Sequence, residues 1–334
     1  MKVLLAAGGA GFIGSFFIKY FLGRNKNFLV VNIDKLSHTG NSANLRELED
    51  SPRYHFIKGD ICNYELVNYV LKKYKPDFVI NFASESPKKN LSDTDRFIER
   101  PTMFAETNIM GTMTLLEGLR YIWNRRSFKS SRFIQISTDE VYGIGENHSK
   151  SDKNYILEES PVIPETSFSA SKAAADLMVS AFSRSYDIPS IIARCCTNYG
   201  PHQHTENFIP RFILNALEDT PVRISEEDYR IKEWIHVQDN SIALIRVLFY
   251  GRPGETYNLG TGEEASNVDI ARKILKHLNK PESILDHVPG TLKEPRQLLL
   301  NSCKSRSHLN WSSRIRLEDG LKEMVQWYKN NFNK

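Results

Sequence analysis

Cysteine is scarce in this 334-residue sequence: Cys62, Cys195, Cys196 and Cys303 are the whole complement. None of their spacings is that of a zinc site or a disulfide framework. The adjacent pair Cys195-Cys196 sits in an apolar, strand-like run, so reduced core thiols and a cytoplasmic setting are expected. No apolar run approaches the roughly 20 residues that cross a membrane. The chain opens directly on a strand pattern, which leaves no room for a signal peptide. Charge of one sign is lacking too: 44 basic against 40 acidic residues leave +4. No Lys/Arg block is dense enough for a nucleic-acid face, and Arg125-Arg126 reads as a solvated helix end. Internal repeats, low-complexity tracts and flexible linkers are absent as well. What remains is ordinary globular composition, 40% apolar and 25% charged, in a chain long enough for one large or two modest domains.

Lys2-Val-Leu-Leu-Ala-Ala7 reads as a short buried strand that runs into Gly8-Gly-Ala-Gly11-Phe-Ile-Gly14 and then a helical pattern from Phe16 to Leu22. Glycines at i, i+3 and i+6 let the backbone turn tightly, approach a pyrophosphate and lay the helix close on the strand. The free N–H groups of the helix start then face the phosphates. A second strand, Phe28 to Asp34, ends in an acid twenty positions after Gly14. A carboxylate there accepts hydrogen bonds from a ribose 2′-OH and repels a 2′-phosphate, which favours NAD over NADP. Lys35 beside it pulls the other way, because a lysine also neutralises phosphate. Strands at Tyr54–Ile61 and Asp77–Ala83 follow, the first ending at Asp60, within range of an adenine amino group. Strands alternating with helices mean a doubly wound parallel α/β sheet, a Rossmann arrangement. The helix around Glu106–Tyr121 carries Thr107-Asn108 and Gly111-Thr112 beside a leucine stripe that suits core or helix-to-helix packing.

The chain is organised around Phe133-Ile-Gln-Ile-Ser-Thr-Asp-Glu-Val-Tyr-Gly143. An apolar strand delivers two hydroxyls, Ser137 and Thr138, and two carboxylates, Asp139 and Glu140. Polar residues at the end of a buried parallel strand are where open α/β sheets build their sites. Two carboxylates divide proton donation from abstraction when their surroundings push their pKa values apart. Solvated acids capping a strand are the bland alternative; the dinucleotide pattern upstream decides for a site. We take residues 1–187 as the NAD-binding domain and 188–334 as a smaller α/β substrate domain, with some of its strands and helices returning to the first.

Gly8–Gly14, Asn32-Ile-Asp-Lys-Leu36, Lys58-Gly-Asp-Ile61, Phe82-Ala-Ser-Glu-Ser86, Ser137–Gly143, Asn198-Tyr-Gly-Pro201 and Glu233-Trp-Ile-His-Val237 resemble the nucleotide-sugar 4,6-dehydratases, nearest to the dTDP-glucose type. These are extended short-chain dehydrogenase/reductases. The resemblance spans almost the whole chain, and Thr138-Asp139-Glu140 is its most specific element. It implies that a tyrosinate takes the proton of the sugar 4-OH while NAD takes the C4 hydride. The glutamate then removes C5–H, the aspartic acid protonates the departing 6-OH, and the hydride returns to C6. Carried over, Thr138 polarises the 4-oxygen, Asp139 is the acid, Glu140 the base, and Lys172 holds the nicotinamide ribose. The cofactor residues implied are Gly8, Gly11, Phe12, Ile13, Gly14, Asp34, Lys35, Asp60, Ile61, Phe82, Ala83, Ser84, Thr107, Lys172 and Cys195. Those implied for the nucleotide sugar are Ser86, Thr138, Asn198, Arg211, Lys232, Asn258 and Arg296. A homodimer through the Glu106–Tyr121 and Phe168–Tyr186 helices is also implied, with no metal, nucleic acid or membrane partner.

The chain departs from the family pattern where the chemistry starts. Phe168-Ser-Ala-Ser-Lys172 keeps the Tyr-x-x-x-Lys register without the phenol. Positioned general-base catalysis is worth roughly 10²–10⁴-fold, so low activity is expected. Tyr142 matches a tyrosine the family carries beside its catalytic one and is not expected to substitute. A site altered by mutation, another base, and a protein that binds without turnover all fit this departure. Glu85-Ser-Pro-Lys-Lys-Asn-Leu91 also departs from the family loop, Lys232 stands where an arginine is usual, and Leu298 where an aromatic is common. Epimerisation or 5,6-dehydration on the same fold is the enzymatic alternative, and a sugar-nucleotide-binding protein the non-enzymatic one. His202-x-His204 lacks a third ligand for a metal and reads as surface.

Overall fold

The computed structural model describes residues 1–37, 40–87, 101–123, 130–143, 155–287 and 299–331. Arg296, expected at the nucleotide sugar, and Leu298 lie outside them, as does most of the departing loop after Ser86.

The strands are β1 (Lys2–Ala7), β2 (Phe28–Asp34), β3 (Tyr54–Lys58), β4 (Phe78–Asn81), β5 (Arg132–Thr138), β6 (Tyr155–Ile156) and β7 (Ser190–Cys195). They continue with β8 (Thr197–Tyr199), β9 (Val222–Ile224), β10 (Ile231–His236), β11 (Thr256–Leu259), β12 (Glu264–Ser266), β13 (Leu285–His287) and β14 (Leu299–Leu300). The first five helices are α1 (Phe12–Arg24), α2 (Tyr64–Tyr74), α3 (Pro101–Phe104), α4 (Thr112–Ile122) and α5 (Ser167–Tyr186). The others are α6 (Phe208–Leu217), α7 (Val237–Tyr250), α8 (Asn267–Leu278), α9 (Cys303–Leu309) and α10 (Leu317–Asn331).

Seven strands form one sheet in the order β11-β7-β5-β4-β1-β2-β3, with every neighbour parallel. Strands buried on both faces read as continuous apolar runs, which is why β1 and β2 stand out in the sequence. Alternate residues of β1 serve different cores. Leu4 and Ala6 meet Phe17 and Phe21 of α1 and Leu244 and Val247 of α7. Leu5 and Ala7 belong with Val67 and Leu71 of α2 and Leu115 and Leu119 of α4. A third core joins Phe212 of α6, Ile274 of α8, Met324 of α10 and Trp234 of β10 into a smaller lobe. The first lobe draws elements from both sides of residue 187. β7, β11 and α7 come from the later half and complete the large sheet and its cover.

Between α3 and α4 the helix widens into a π turn over Ala105–Gly111, where a uniform helix was expected. Such turns recur at functional sites because they re-aim side chains. Gly111 sits so close to the chain leading into α2 that a Cβ would lie 2.5 Å from Ile61 Cδ1.

Glu233, buried in β10, bolts the smaller lobe together. Its carboxylate accepts the N–H groups of Thr261 (2.5 Å), Gly262 (2.6 Å) and Leu300 (2.9 Å). Buried donors left without partners cost about 1–3 kcal/mol each. Glu233→Ala should therefore lower the unfolding free energy by about 3 kcal/mol or more. Glu233→Gln, which keeps one acceptor oxygen, should cost less; urea denaturation of both variants checks this.

Candidate active site

The chain leaves β1 through Gly8, whose φ of +72° is left-handed. A Cβ here would lie 2.4 Å from Ala83 Cα, and one on Gly14 would lie 2.7 Å from Gly9 Cα. These are cradles that only glycine leaves open. Helix α1 starts at Gly11 with no side-chain cap and no acid in its first turn, so its N–H groups are free for an anion. Residues of this turn line a recess with Asp34, Lys35, Asp60, Ile61, Phe82, Ala83, Ser84 and Thr107. It lies where the strand order reverses between β1 and β4, the usual dinucleotide crevice.

Asp34 is buried and accepts the N–H groups of Ala10 and Leu36, both at 2.8 Å. Burial pushes its carboxyl above the usual carboxylate range, against the lowering by those two bonds. Lys35 is committed elsewhere. Its Nζ lies 2.8 Å from Glu85 Oε1, 3.8 Å from Asp60 Oδ2 and donates to Thr107 Oγ1 at 3.0 Å. The lysine that weakened the case for NAD has its charge met by carboxylates, so a 2′-phosphate would face Asp34, Asp60 and Glu85. The glycine cradle, the open helix start and this acidic rim fit NAD.

Phe82 and Ser84 also line a second cleft of about 360 Å³. Its walls include Phe12 and Ile13 of α1, Ser86, Thr138, Asp139 and Glu140 after β5, Phe168 and Lys172 of α5, Cys195, and Asn198 of β8. Residues singled out from scattered parts of the sequence thus gather in one place. Thr138 ends β5 with its hydroxyl donating to Asp139 Oδ1 (3.0 Å) and accepting the Glu140 N–H (3.3 Å). Burial, with Glu140 and Glu233 nearby, pushes the Asp139 carboxyl up to about 7. Glu140 is exposed to the cleft. One carboxyl is held protonated near neutrality and its neighbour is solvated, the split that lets one give a proton and the other take one.

Helix α5 starts with a capping box in which Thr166 and Ser169 satisfy each other's N–H groups. Four-residue spacing then puts Phe168 and Lys172 on one face. Lys172 Nζ donates to Ile136 O at 2.6 Å, and burial lowers its pKa to about 8. Burial holds the Cys195 thiol up at about 12, so it is no nucleophile. Tyr142 is buried beneath the cleft, donating to Asn258 Oδ1 at 2.8 Å with Arg194 over its ring, and burial pushes it up to about 12. It faces away from the chemistry, as its family position suggested.

Other expected substrate residues fall elsewhere. Asn258 is fully buried, binding Tyr142 and Ile156 O, so it braces the core rather than facing a phosphate. Arg211 on α6 and Lys232 on β10, paired across to Ala265, are half-buried and do not line the cleft. Asn198 does line it, and its Oδ1 is buried without a hydrogen-bond partner among the described residues. Sequence reasoning passed over Gln203, Glu206 and Asn207, which also line the cleft, because a loop between β8 and α6 has no periodicity to mark its inward side. It also missed Asn108, whose amide bridges the Glu85 backbone and Ser171 Oγ and so ties the π turn to α5. The His202 ring lies tilted against Trp327, with centroids 4.8 Å apart, His204 accepts the Glu206 N–H, and no metal-binding group of three ligands occurs among the described residues.

A reversing parallel sheet, a glycine cradle and a Lys172-bearing helix tied to the strand that ends at Thr138 define an extended short-chain dehydrogenase/reductase. Over residues 5–324 the chain matches the GDP-mannose 4,6 dehydratase family, and it belongs to that family. It is 37% identical to a dTDP-glucose 4,6-dehydratase of Haemophilus influenzae over 98% of both chains. Among solved structures, it resembles the dTDP-glucose 4,6-dehydratase of Bacillus anthracis in complex with NAD, at TM-score 0.86 and 35% identity over 99% of this chain and 97% of that one. The Streptomyces venezuelae enzyme with NAD and TYD bound gives TM-score 0.87 and 33% identity, over 99% and 98% of the two chains.

The raised Asp139 carboxyl has a consequence for stability. A group whose folded pKa exceeds its unfolded value favours the folded state when protonated and loses that stability as pH rises through the shifted range, here from 3.8 to about 7. Asp139→Asn removes the titration. Its melting temperature should therefore rise relative to the parent more at pH 8 than at pH 5, which thermal unfolding at the two pH values checks.

Proposed function

We propose that this chain is an NAD-dependent nucleotide-hexose 4,6-dehydratase of the dTDP-glucose type, slowed at its first proton transfer by Phe168. The carrying observation is the gathering of Thr138, Asp139, Glu140 and Lys172 around one cleft open to the dinucleotide recess. Bound NAD supplies reversible hydride acceptance at the sugar. Gly8, Gly11 and Gly14 hold its pyrophosphate at the start of α1, Asp34 its adenine ribose, and Lys172 its nicotinamide ribose. With substrate present, the Thr138 hydroxyl turns from Asp139 Oδ1 to donate to the sugar 4-oxygen and polarises the 4-ketone, which acidifies C5–H. Glu140 takes that proton, and Asp139, protonated near neutral pH, delivers one to the departing 6-hydroxyl. Ser86 and Asn198 hold the sugar and its phosphates; by resemblance to the family, Lys232 and Arg296 serve the diphosphate and Arg211 belongs to the segment against the nucleotide base. The product is a 4-keto-6-deoxy sugar nucleotide for deoxysugar synthesis. The missing phenol favours one second reading, a sugar-nucleotide-binding protein without turnover.

Two further features complete the reading. α4 and α5 pack side by side and leave Tyr121 66% and Leu177 64% exposed, a face suited to a four-helix homodimer contact. All four cysteines are unpaired, which suits a reducing cytoplasm, and no described helix is long and apolar enough to cross a membrane.

Given NAD and a panel of dTDP-, UDP-, GDP- and CDP-hexoses, Phe168→Tyr should form dehydrated product about 10²–10⁴-fold faster than the parent. Mass spectrometry detects the loss of water, and the responding sugar names the nucleotide. Tight nucleotide-sugar binding with no product from either form would establish the binding-protein reading instead. Leu177→Glu should convert the protein from dimer to monomer in light scattering; a parent that is already monomeric would overturn the dimer.

A further inference from the structure

Phe168 leaves the first oxidation without the group that takes the 4-hydroxyl proton, and the cleft holds few replacements. Asp139 is kept protonated near neutral pH, Cys195 and Cys196 are thiols, and Tyr142 points into the core. Glu140 is needed for C5–H. His204 already accepts the Glu206 N–H at Nδ1. Lys172 differs from all of these. It is 4% exposed, stands one helical turn beyond Phe168 on the same face, and lines the cleft beside Thr138. An ammonium has three donors. Among the described residues, Lys172 uses one, to Ile136 O, and its side chain lines the same cleft as Phe168.

The surroundings of that nitrogen favour its neutral form. Asp176 faces it from the same helix, but Asp176 Oδ2 already accepts Arg194 Nε and Ser137 Oγ, each at 3.0 Å. Cys195 of β7 faces it as a thiol, and Asp139 and Glu140 stand at the end of β5. Burial outweighs the attraction of Asp176, so the amine loses its proton above about pH 8 rather than near 10.5.

We propose that Lys172 itself accepts the proton of the sugar 4-hydroxyl, through one bridging water beside the Phe168 ring edge. This rests on the dehydratase reading above. Oxidation at C4 releases one hydride, with its electron pair, and one proton. The hydride is the cofactor's share. The 4-oxygen gives its proton to the water as the water passes one of its own to neutral Nζ, leaving a 4-ketone, a water and an ammonium. The ammonium returns its proton to solvent through the open cleft before the next turn. Lys172 thus combines two roles, ribose holder and proton acceptor, that a Tyr-x-x-x-Lys pair divides.

Four NAD-loaded proteins test this with dTDP-glucose: the parent, Lys172→Arg, Phe168→Tyr and the Phe168→Tyr/Lys172→Arg double variant. Arginine keeps a cation for the ribose but does not release its proton. Lys172→Arg should lower product formation about 100-fold more in the parent than in the Phe168→Tyr background, where the restored phenol takes the proton. Independently of turnover, competitive acetylation of the parent by acetic anhydride, read by peptide mass spectrometry, should give Lys172 a midpoint near 8. Equal losses in both backgrounds, or a midpoint near 10.5, would overturn the proposal. So would a comparable loss in His204→Ala with Lys172→Arg unaffected. If Phe168→Tyr also makes no product, the dehydratase reading falls and this route with it; if it makes product and the losses are equal, the route falls alone.

Discussion

A buried ion pair beneath the reactive cleft holds the rest of the site in register. Asp176 of α5 accepts Arg194 of β7 and Ser137 of β5 on a single oxygen, and the Arg194 guanidinium lies 4.7 Å over the Tyr142 ring. Three elements that come from distant parts of the chain are thereby fixed against one another. Burying such a pair is expensive, and the two hydrogen bonds converging on Asp176 Oδ2 offset part of that cost, while Oδ1 has no partner among the described residues. The return is geometric. With α5 pinned to β5 and β7, Lys172 and Phe168 stand at a set depth beside Thr138, Asp139 and Glu140, and the low-dielectric floor raises one carboxyl and lowers one amine.

Much of this is legible in the sequence alone. The glycine turn, the acid ending β2 and the polar cluster ending β5 are local patterns with direct physical meanings, and each lies where its spacing placed it. The register of Phe168 and Lys172 needs only helical periodicity. What escapes such reading depends on contacts between segments far apart in sequence. The resemblance to the family makes Asn258 a phosphate-side candidate, but Tyr142, 116 positions away, claims its side chain. The commitment of Lys35 to Glu85 and the bridging by Asn108 have the same origin. Loop residues such as Gln203 and Glu206 carry no periodic signal at all. β7, β11 and α7, encoded after residue 187, belong to the first lobe because a parallel sheet recruits strands through crossovers without regard to where a lobe begins.

The groups packed around Phe168 are in place. The ring keeps a T-shaped contact with Phe104, the capping box of α5 is complete, and the carboxyl pair after β5 keeps its split environments.

The order β11-β7-β5-β4-β1-β2-β3 also governs how the protein comes off the ribosome. Two strands on one side of the large sheet are encoded after residue 187, the last of them ending at Leu259. Until that residue has emerged, the nascent sheet lacks its β11 edge and α7 has only begun to cover one face. More than three-quarters of the chain must therefore be synthesised before the first lobe closes. Throughout that interval an apolar parallel edge stays open to chaperones and to neighbouring nascent chains.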